Sequence, residues 1–183
     1  MSAILFRTAR LDVRALGPDD VDDLLAVYGD PEAMAPLGDG EVLSGERCAA
    51  WVEVTARNVA ERGYGMSALV ERATGTVVGF AGLVHPGGQV EAELKYALRR
   101  DAWGRGLGTE AARGVLAWGA TAFDLPRVVA TVHPGNVASR RVLAKVGMRE
   151  EGPRTEDDGS LTLVFAWDPT WDDRRAKPSL SLD

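Results

Sequence analysis

Three glycines, Gly104, Gly106 and Gly108, alternate along "WGRGLGTEAARGVLAWGA", residues 103–120. A strand-like run, "ELKYALR", precedes them and a helix-like run follows. Glycine lets a backbone approach a ligand with no Cβ in between. The first amides of a helix lack intrahelical acceptors, and the dipole adds about half a positive charge there. Such an arrangement suits an anion, and a diphosphate fits both features. The charge distribution agrees. Residues 95–149 hold ten Lys/Arg and three acids, so they carry +7 and the remainder −13 of a net −6. A basic segment in an acidic chain suits an anionic ligand, though charge alone is equally consistent with a solvated basic surface. The negative total argues against broad nucleic-acid binding.

Two familiar phosphate loops fail the test of spacing. A Walker loop needs Gly-Lys-Ser/Thr, whereas Gly108 is followed by Thr109 and Glu110. The dinucleotide fingerprint is G-x-G-x-x-G, whereas the spacing here is G-x-G-x-G. Asp124, twenty residues beyond Gly104, lies before the next strand rather than at its end. Other reactive side chains are few. Cys48 is the only cysteine, which excludes an intrachain disulfide. His85 and His133 each precede a proline and mark turns, so no metal constellation is expected. Strand alternation would put Glu91, Glu93, Lys95 and Ala97 on one face.

The elements that must position these residues follow from hydrophobic period and caps. "AILFRTARLDVRAL" reads as a strand broken near Thr8. "GPDDVDDLLAVYGDP" reads as a short helix opened by Pro18 and four aspartates. "APLGDGEVLSG" reads as loop. Ser44 caps a helix to about Arg62, with Trp51, Val52, Val54, Thr55 and Val59 on its apolar stripe. "YGMSALVER", "TVVGFAGLVH" and "GQVEAELKYALR" read as an antiparallel meander. A helix from about Gly108 to Phe123 aligns Leu107, Ala111, Val115, Trp118 and Ala122. "RVVATV" is a buried strand, and "NVASRRVLAKVG" is a helix capped by Asn136 and ended by Gly147. "MREEGPR" and "SLTLVFAWD" close the fold around a "DDG" turn.

Strand, helix, strand over residues 90–131 predicts two parallel neighbours within an otherwise antiparallel sheet. The fold class is α/β (α+β mixed), a mixed, mostly antiparallel sheet with helices on both faces. One domain is expected over residues 1–168. Residues 169–183 form a tail expected to fray once past Trp171. With no apolar run long enough to span a bilayer and no signal-peptide pattern, a cytoplasmic location without membrane partners is expected.

"ALRRDAWGRGLGTEAARGVL" followed by "NVASRRVLAKVGM" resembles the GCN5-related N-acetyltransferase (GNAT) superfamily. "TARLDVRALGPDD", "DPEAM", "VVGFAGL" and "ELKYAL" extend the resemblance over residues 8–168, towards the branch of ribosomal-protein N-terminal acetyltransferases. The resemblance implies acetyl-coenzyme A, without a metal, in a V-shaped split between the two parallel strands. It implies that the pyrophosphate lies on backbone amides of the Trp103–Thr109 loop, from Trp103, Gly104, Arg105 and Gly106 to Leu107, Gly108 and Thr109. Ala97, Leu98 and Arg99 would offer backbone groups to the pantetheine arm, and Asn136 would bond it from the other side.

An amine would attack the thioester directly. Glu93 is the candidate base, through a water or directly, with Glu91 as its rival. An amide near Leu98 would bond the oxyanion. Many family members carry an acidic Tyr seven residues after the Asn position, where this chain has Leu143. That leaves Ser139 or water to protonate the thiolate. The implied acceptor is an amine, with a protein N-terminal α-amine favoured and a small molecule such as an antibiotic open; a homodimer is allowed. A non-catalytic coenzyme sensor and a nicotinamide enzyme are the competing functions.

Overall fold

The computed structural model describes residues 3–36, 40–156 and 158–172. Eight strands form one sheet in the order β1-β2-β3-β4-β5-β6-β8-β7. β1 (Ile4–Arg7) and β2 (Leu11–Ala15) pair antiparallel. The expected break at Thr8 is therefore a full reversal: Thr8 N–H donates to Leu11 O at 2.9 Å, and the chain doubles back as a hairpin. β3 (Met66–Glu71), β4 (Thr76–Val84) and β5 (Ala92–Leu98) form the expected meander. β7 (Arg149–Thr155) and β8 (Leu161–Trp167) close the far edge.

The helices divide between two faces. α4 (Leu107–Phe123) and α5 (Val137–Lys145) cover one, on a core that includes Phe6, Leu83, Leu94, Val115, Trp118 and Leu143. α1 (Val21–Tyr28), α2 (Pro31–Met34) and α3 (Gly45–Arg62) cover the other, over Leu24, Val27, Met66, Ala68 and Phe80. Each core is fed by alternate residues of the same strands, as the pleat requires.

Local chemistry explains most boundaries. Ser44 Oγ accepts from Arg47 N at 3.3 Å and opens α3, which ends at Arg62 before Gly63. Asp20, buried, accepts from Gly17 N at 2.8 Å and from both terminal guanidinium nitrogens, Nη1 and Nη2, of Arg14, fixing the entry to α1.

Pro31–Met34 forms a short helix, because Asp30 accepts from Glu32 N at 3.0 Å and caps it. Two expectations need correction. The buried stripe of α3 is Cys48, Val52 and Thr55. Trp51, Val54 and Val59 lie one step around the helix and remain part-exposed. Ala122 is exposed, because the chain leaves the sheet at Asp124, whose φ is 49°. Pro169–Asp172 forms a 3₁₀ turn, with the Arg149 guanidinium 4.2 Å above the Trp171 ring. Residues 173–183 of the expected tail lie outside the described residues.

β6 (Val128–Val132) runs parallel to β5, as the crossover through α4 requires. The two strands pair only at Ala92–Val128 and Glu93–Val129. Beyond those pairs β5 stays with β4 while β6 stays with β8. The sheet thus opens as a split, and α4 begins just past its β5 side.

Candidate active site

The glycine loop is held from three directions. Arg105 closes its guanidinium onto Glu71 at the end of β3. Its carbonyl accepts from Arg10 Nη1 at 2.8 Å. Glu110, in the first turn of α4, accepts from Thr8 Oγ1 at 2.6 Å, from Arg10 N at 2.7 Å and from Arg10 Nε at 2.7 Å. The β1–β2 hairpin is therefore a brace for the loop, a role its sequence did not reveal. Gly104 and Gly106 have φ of 72° and 79°, a left-handed backbone that other residues rarely adopt. The first bond of the helical ladder at this end runs from Glu110 N to Gly106 O, 3.1 Å. The amides of Leu107, Gly108 and Thr109 precede that ladder and point out of the helix end. The Arg105 guanidinium is committed to Glu71, which leaves only its backbone groups to face the loop's interior.

The end of β5 sorts its backbone groups by parity. Arg99 N donates to Val78 O at 3.0 Å. Alternation along an antiparallel ladder then turns Ala97 toward β4 and turns Leu98 and Tyr96 toward the split. Of the three residues expected to offer backbone groups, Ala97 and Arg99 are engaged with β4. Leu98 faces the split, and its carbonyl also accepts from Trp103 Nε1 at 2.9 Å. Tyr96 is the residue that sequence reasoning missed.

A cavity of about 650 Å³ runs across the split. Its walls include Lys95 and Tyr96 of β5, Thr131 of β6, Asn136 at the start of α5, Ser139 of α5 and Trp51 of α3. Asn136 Oδ1 accepts from Ser139 N at 3.0 Å, so it is the α5 cap; its Nδ2 donates to Pro36 O at 2.9 Å, tying α5 to the chain after α2. Ser139 Oγ lies 2.7 Å from the Tyr96 hydroxyl. Burial pushes the Tyr96 phenol up to about 12, against the opposing bond to Ser139. Leu143, one turn further along α5, is on the same wall.

Glu93 is not on that wall. Its side chain is 1% exposed, and four donors close on it. Oε1 accepts from Lys95 Nζ at 2.5 Å, from Thr131 N at 3.2 Å and from Thr131 Oγ1; Oε2 accepts from Gln89 Nε2 at 3.2 Å. Burial alone would raise its pKa, but Lys95 and Thr131 outweigh it and hold the carboxyl below its usual 4.5. Three of the four donors fall on Oε1 and one on Oε2, and the lowered pKa favours the charged carboxylate over a proton acceptor. Glu91, its rival, pairs with Arg127 at 2.5 Å outside the strand. Cys48, on the inner face of α3, is buried in the core beneath α1 and does not line the cavity.

A family model for the acetyltransferase (GNAT) domain matches residues 10–149, and the chain belongs to that family. The Bacillus subtilis (strain 168) protein YkkB is 32% identical over 146 residues, covering 77% of this chain and 83% of that one. An acetyltransferase from Agrobacterium tumefaciens str. C58 superposes with a TM-score of 0.75 at 25% identity, covering 91% of this chain and 96% of that one. The fold is also that of RimL, a ribosomal L7/L12 alpha-N-protein acetyltransferase solved in complex with coenzyme A. That match has a TM-score of 0.71 at 18% identity, over 91% and 98% of the two chains. Among the described residues no group of His, Cys, Asp and Glu could hold a metal, and no helix is long and apolar enough to cross a membrane.

Proposed function

We propose that this chain is an N-acetyltransferase that moves the acetyl group of acetyl-coenzyme A to an amine, with a protein α-amine as the acceptor. The observation that carries the reading is the coincidence of the glycine loop, the free end of α4 and the split cavity on one side of β5. Acetyl-coenzyme A fits these residues. A Cβ at Gly104 would meet no protein atom within 4 Å, and one at Gly106 only Arg10 Nη2 at 3.6 Å, so the cradle is open. The amides of Arg105 to Thr109 would hold the diphosphate, and Leu98, Tyr96 and Asn136 flank the path of the arm. When bound, the coenzyme supplies an acetyl thioester that an amine attacks directly, releasing a thiol. Binding of coenzyme A and release of thiol in the presence of amines test the reading together.

Within this reading Ser139 holds a proton at the leaving side, and Tyr96 stands behind it as a reserve donor. The pair supplies from strand and helix together what Leu143 cannot supply from the helix alone. Ser139→Ala and Tyr96→Phe are each expected to lower kcat tenfold or more with KM for acetyl-coenzyme A little changed. The double variant is expected to be no worse than either single, because the two act as a unit. Stopped assays of kcat check this, and wild-type kcat in both singles leaves solvent as the proton source.

A second reading, a coenzyme sensor without turnover, draws on the sealed Glu93. Tight binding of acetyl-coenzyme A with no transfer to any amine would favour it.

A further inference from the structure

The acceptor side of the cavity carries its own chemical signature. Tyr28 and Trp51 meet edge to face, with ring centroids 4.9 Å apart, and Val54, Met66 and Val84 continue the apolar wall. Trp51 is 37% exposed and Val54 42%, so both present apolar surface to whatever enters.

Among the described lining residues none is Asp or Glu, and Lys95 is the single Lys or Arg. Its ammonium is held by Glu93 at 2.5 Å and Thr131 Oγ1 at 3.1 Å. The two histidines on the wall offer no free lone pair in their neutral forms. Gln89 O can only accept, so His85 Nδ1, 2.9 Å away, carries the hydrogen; His85 Nε2 then accepts from the Tyr64 hydroxyl at 2.9 Å. His133 Nδ1 accepts from Gly135 N at 3.1 Å, which leaves the hydrogen on Nε2. An ammonium group entering here loses water and meets, among the described lining residues, neither a carboxylate nor an unoccupied imidazole nitrogen.

We infer that the acceptor is an amine of low basicity, an α-amine next to a carbonyl, attached to an apolar or aromatic side chain. Lysine side chains and polyamines are poor acceptors. The inference rests on the acetyl-transfer reading. The physical reason is the supply of neutral amine. An α-amine titrates at about 7.7–8 and an alkylamine at about 10.4, so at pH 7 their neutral fractions differ more than a hundredfold. With no free base among the described lining residues, that difference stays largely uncorrected. The apolar wall then selects among α-amines by what lies beside the nitrogen, with roughly 1.5–3 kcal/mol available from burying a large apolar side chain.

The test is thiol release by the full-length chain with acetyl-coenzyme A at pH 7, across phenylalanine amide, alanine amide, phenethylamine and spermidine. Phenylalanine amide is expected to exceed phenethylamine in kcat/KM at least tenfold, with the gap narrowing as pH rises toward 10. It is expected to exceed alanine amide at least tenfold and spermidine by more. Trp51→Ala should reduce the ratio of kcat/KM for phenylalanine amide to that for alanine amide at least fivefold. A tetrapeptide headed by Phe distinguishes the source: a further gain points to a protein N-terminus, parity to a small molecule, and both keep the chemistry. Spermidine or phenethylamine matching phenylalanine amide at pH 7 overturns the inference while leaving acetyl transfer standing. No thiol release with any amine, although acetyl-coenzyme A binds, overturns the transfer reading and this inference with it.

Discussion

Glu93→Gln is expected to lower the melting temperature by roughly 5–10 °C. The carboxylate is buried and accepts from Lys95, Gln89 and twice from Thr131. A glutamine amide has one acceptor oxygen, so its NH₂ would face donors. Lys95 would also lose its counter-charge. Breaking a fully buried pair costs about 3–5 kcal/mol. The Lys95 side chain is partly exposed, which reduces the figure to roughly 2–3 kcal/mol. A chain of this length shifts by about 2–4 °C per kcal/mol.

The sign of the pH dependence follows from the direction of the shift. The folded carboxyl is held below its ordinary 4.5. Its contribution is therefore present above that value and is lost as pH falls through the lower, folded pKa. The gap in melting temperature between wild type and Glu93→Gln should be full at pH 7 and shrink below about pH 4. Calorimetry across pH checks both. A variant that keeps the wild-type melting temperature while kcat falls at neutral pH and recovers at high pH would instead restore Glu93 as the base.

Gly106→Ala is expected to raise the dissociation constant of coenzyme A tenfold to a hundredfold. At φ of 79° an alanine carries about 1–2 kcal/mol of strain. If the backbone holds, a methyl projects into the open cradle; if it relaxes, the neighbouring amides turn away. Each charge-assisted bond lost costs about 1.5–3 kcal/mol. Strain alone must be separated from loss of the cradle. Gly75, in the β3–β4 turn, has φ of 71°, and a Cβ there would meet nothing within 4 Å. Gly75→Ala should cost similar stability and leave coenzyme binding unchanged. Equal effects of the two variants on binding would remove the loop from the site.

Much of the frame could be read before any coordinates. The period of α4, the Ser44 cap, the meander and the parallel step each depend on residues close in sequence. Features that depend on partners far along the chain were not legible. Strand alternation put Glu93 and Lys95 on one face, but nothing local revealed that Thr131, thirty-eight residues on, would seal the carboxylate. Charge counting set Arg105 within a basic segment suited to an anion, yet Glu71 takes its guanidinium across thirty-four residues. Ala97 and Leu98 differ only in ladder parity, which needs the register with β4. Tyr96 meets Ser139 across forty-three residues and through a split that has no sequence signature of its own.

The central claim is that main-chain amides at the start of α4 hold the diphosphate of a coenzyme. Amide-resolved NMR of the full chain, titrated with coenzyme A, addresses it directly. The account predicts saturable shifts concentrated at the amides of Arg105, Gly106, Leu107, Gly108 and Thr109, with Leu98 following, and a much weaker response to pantetheine, which lacks the diphosphate. Coenzyme A that binds while those amides stay still, or fails to bind at millimolar concentration, would contradict it.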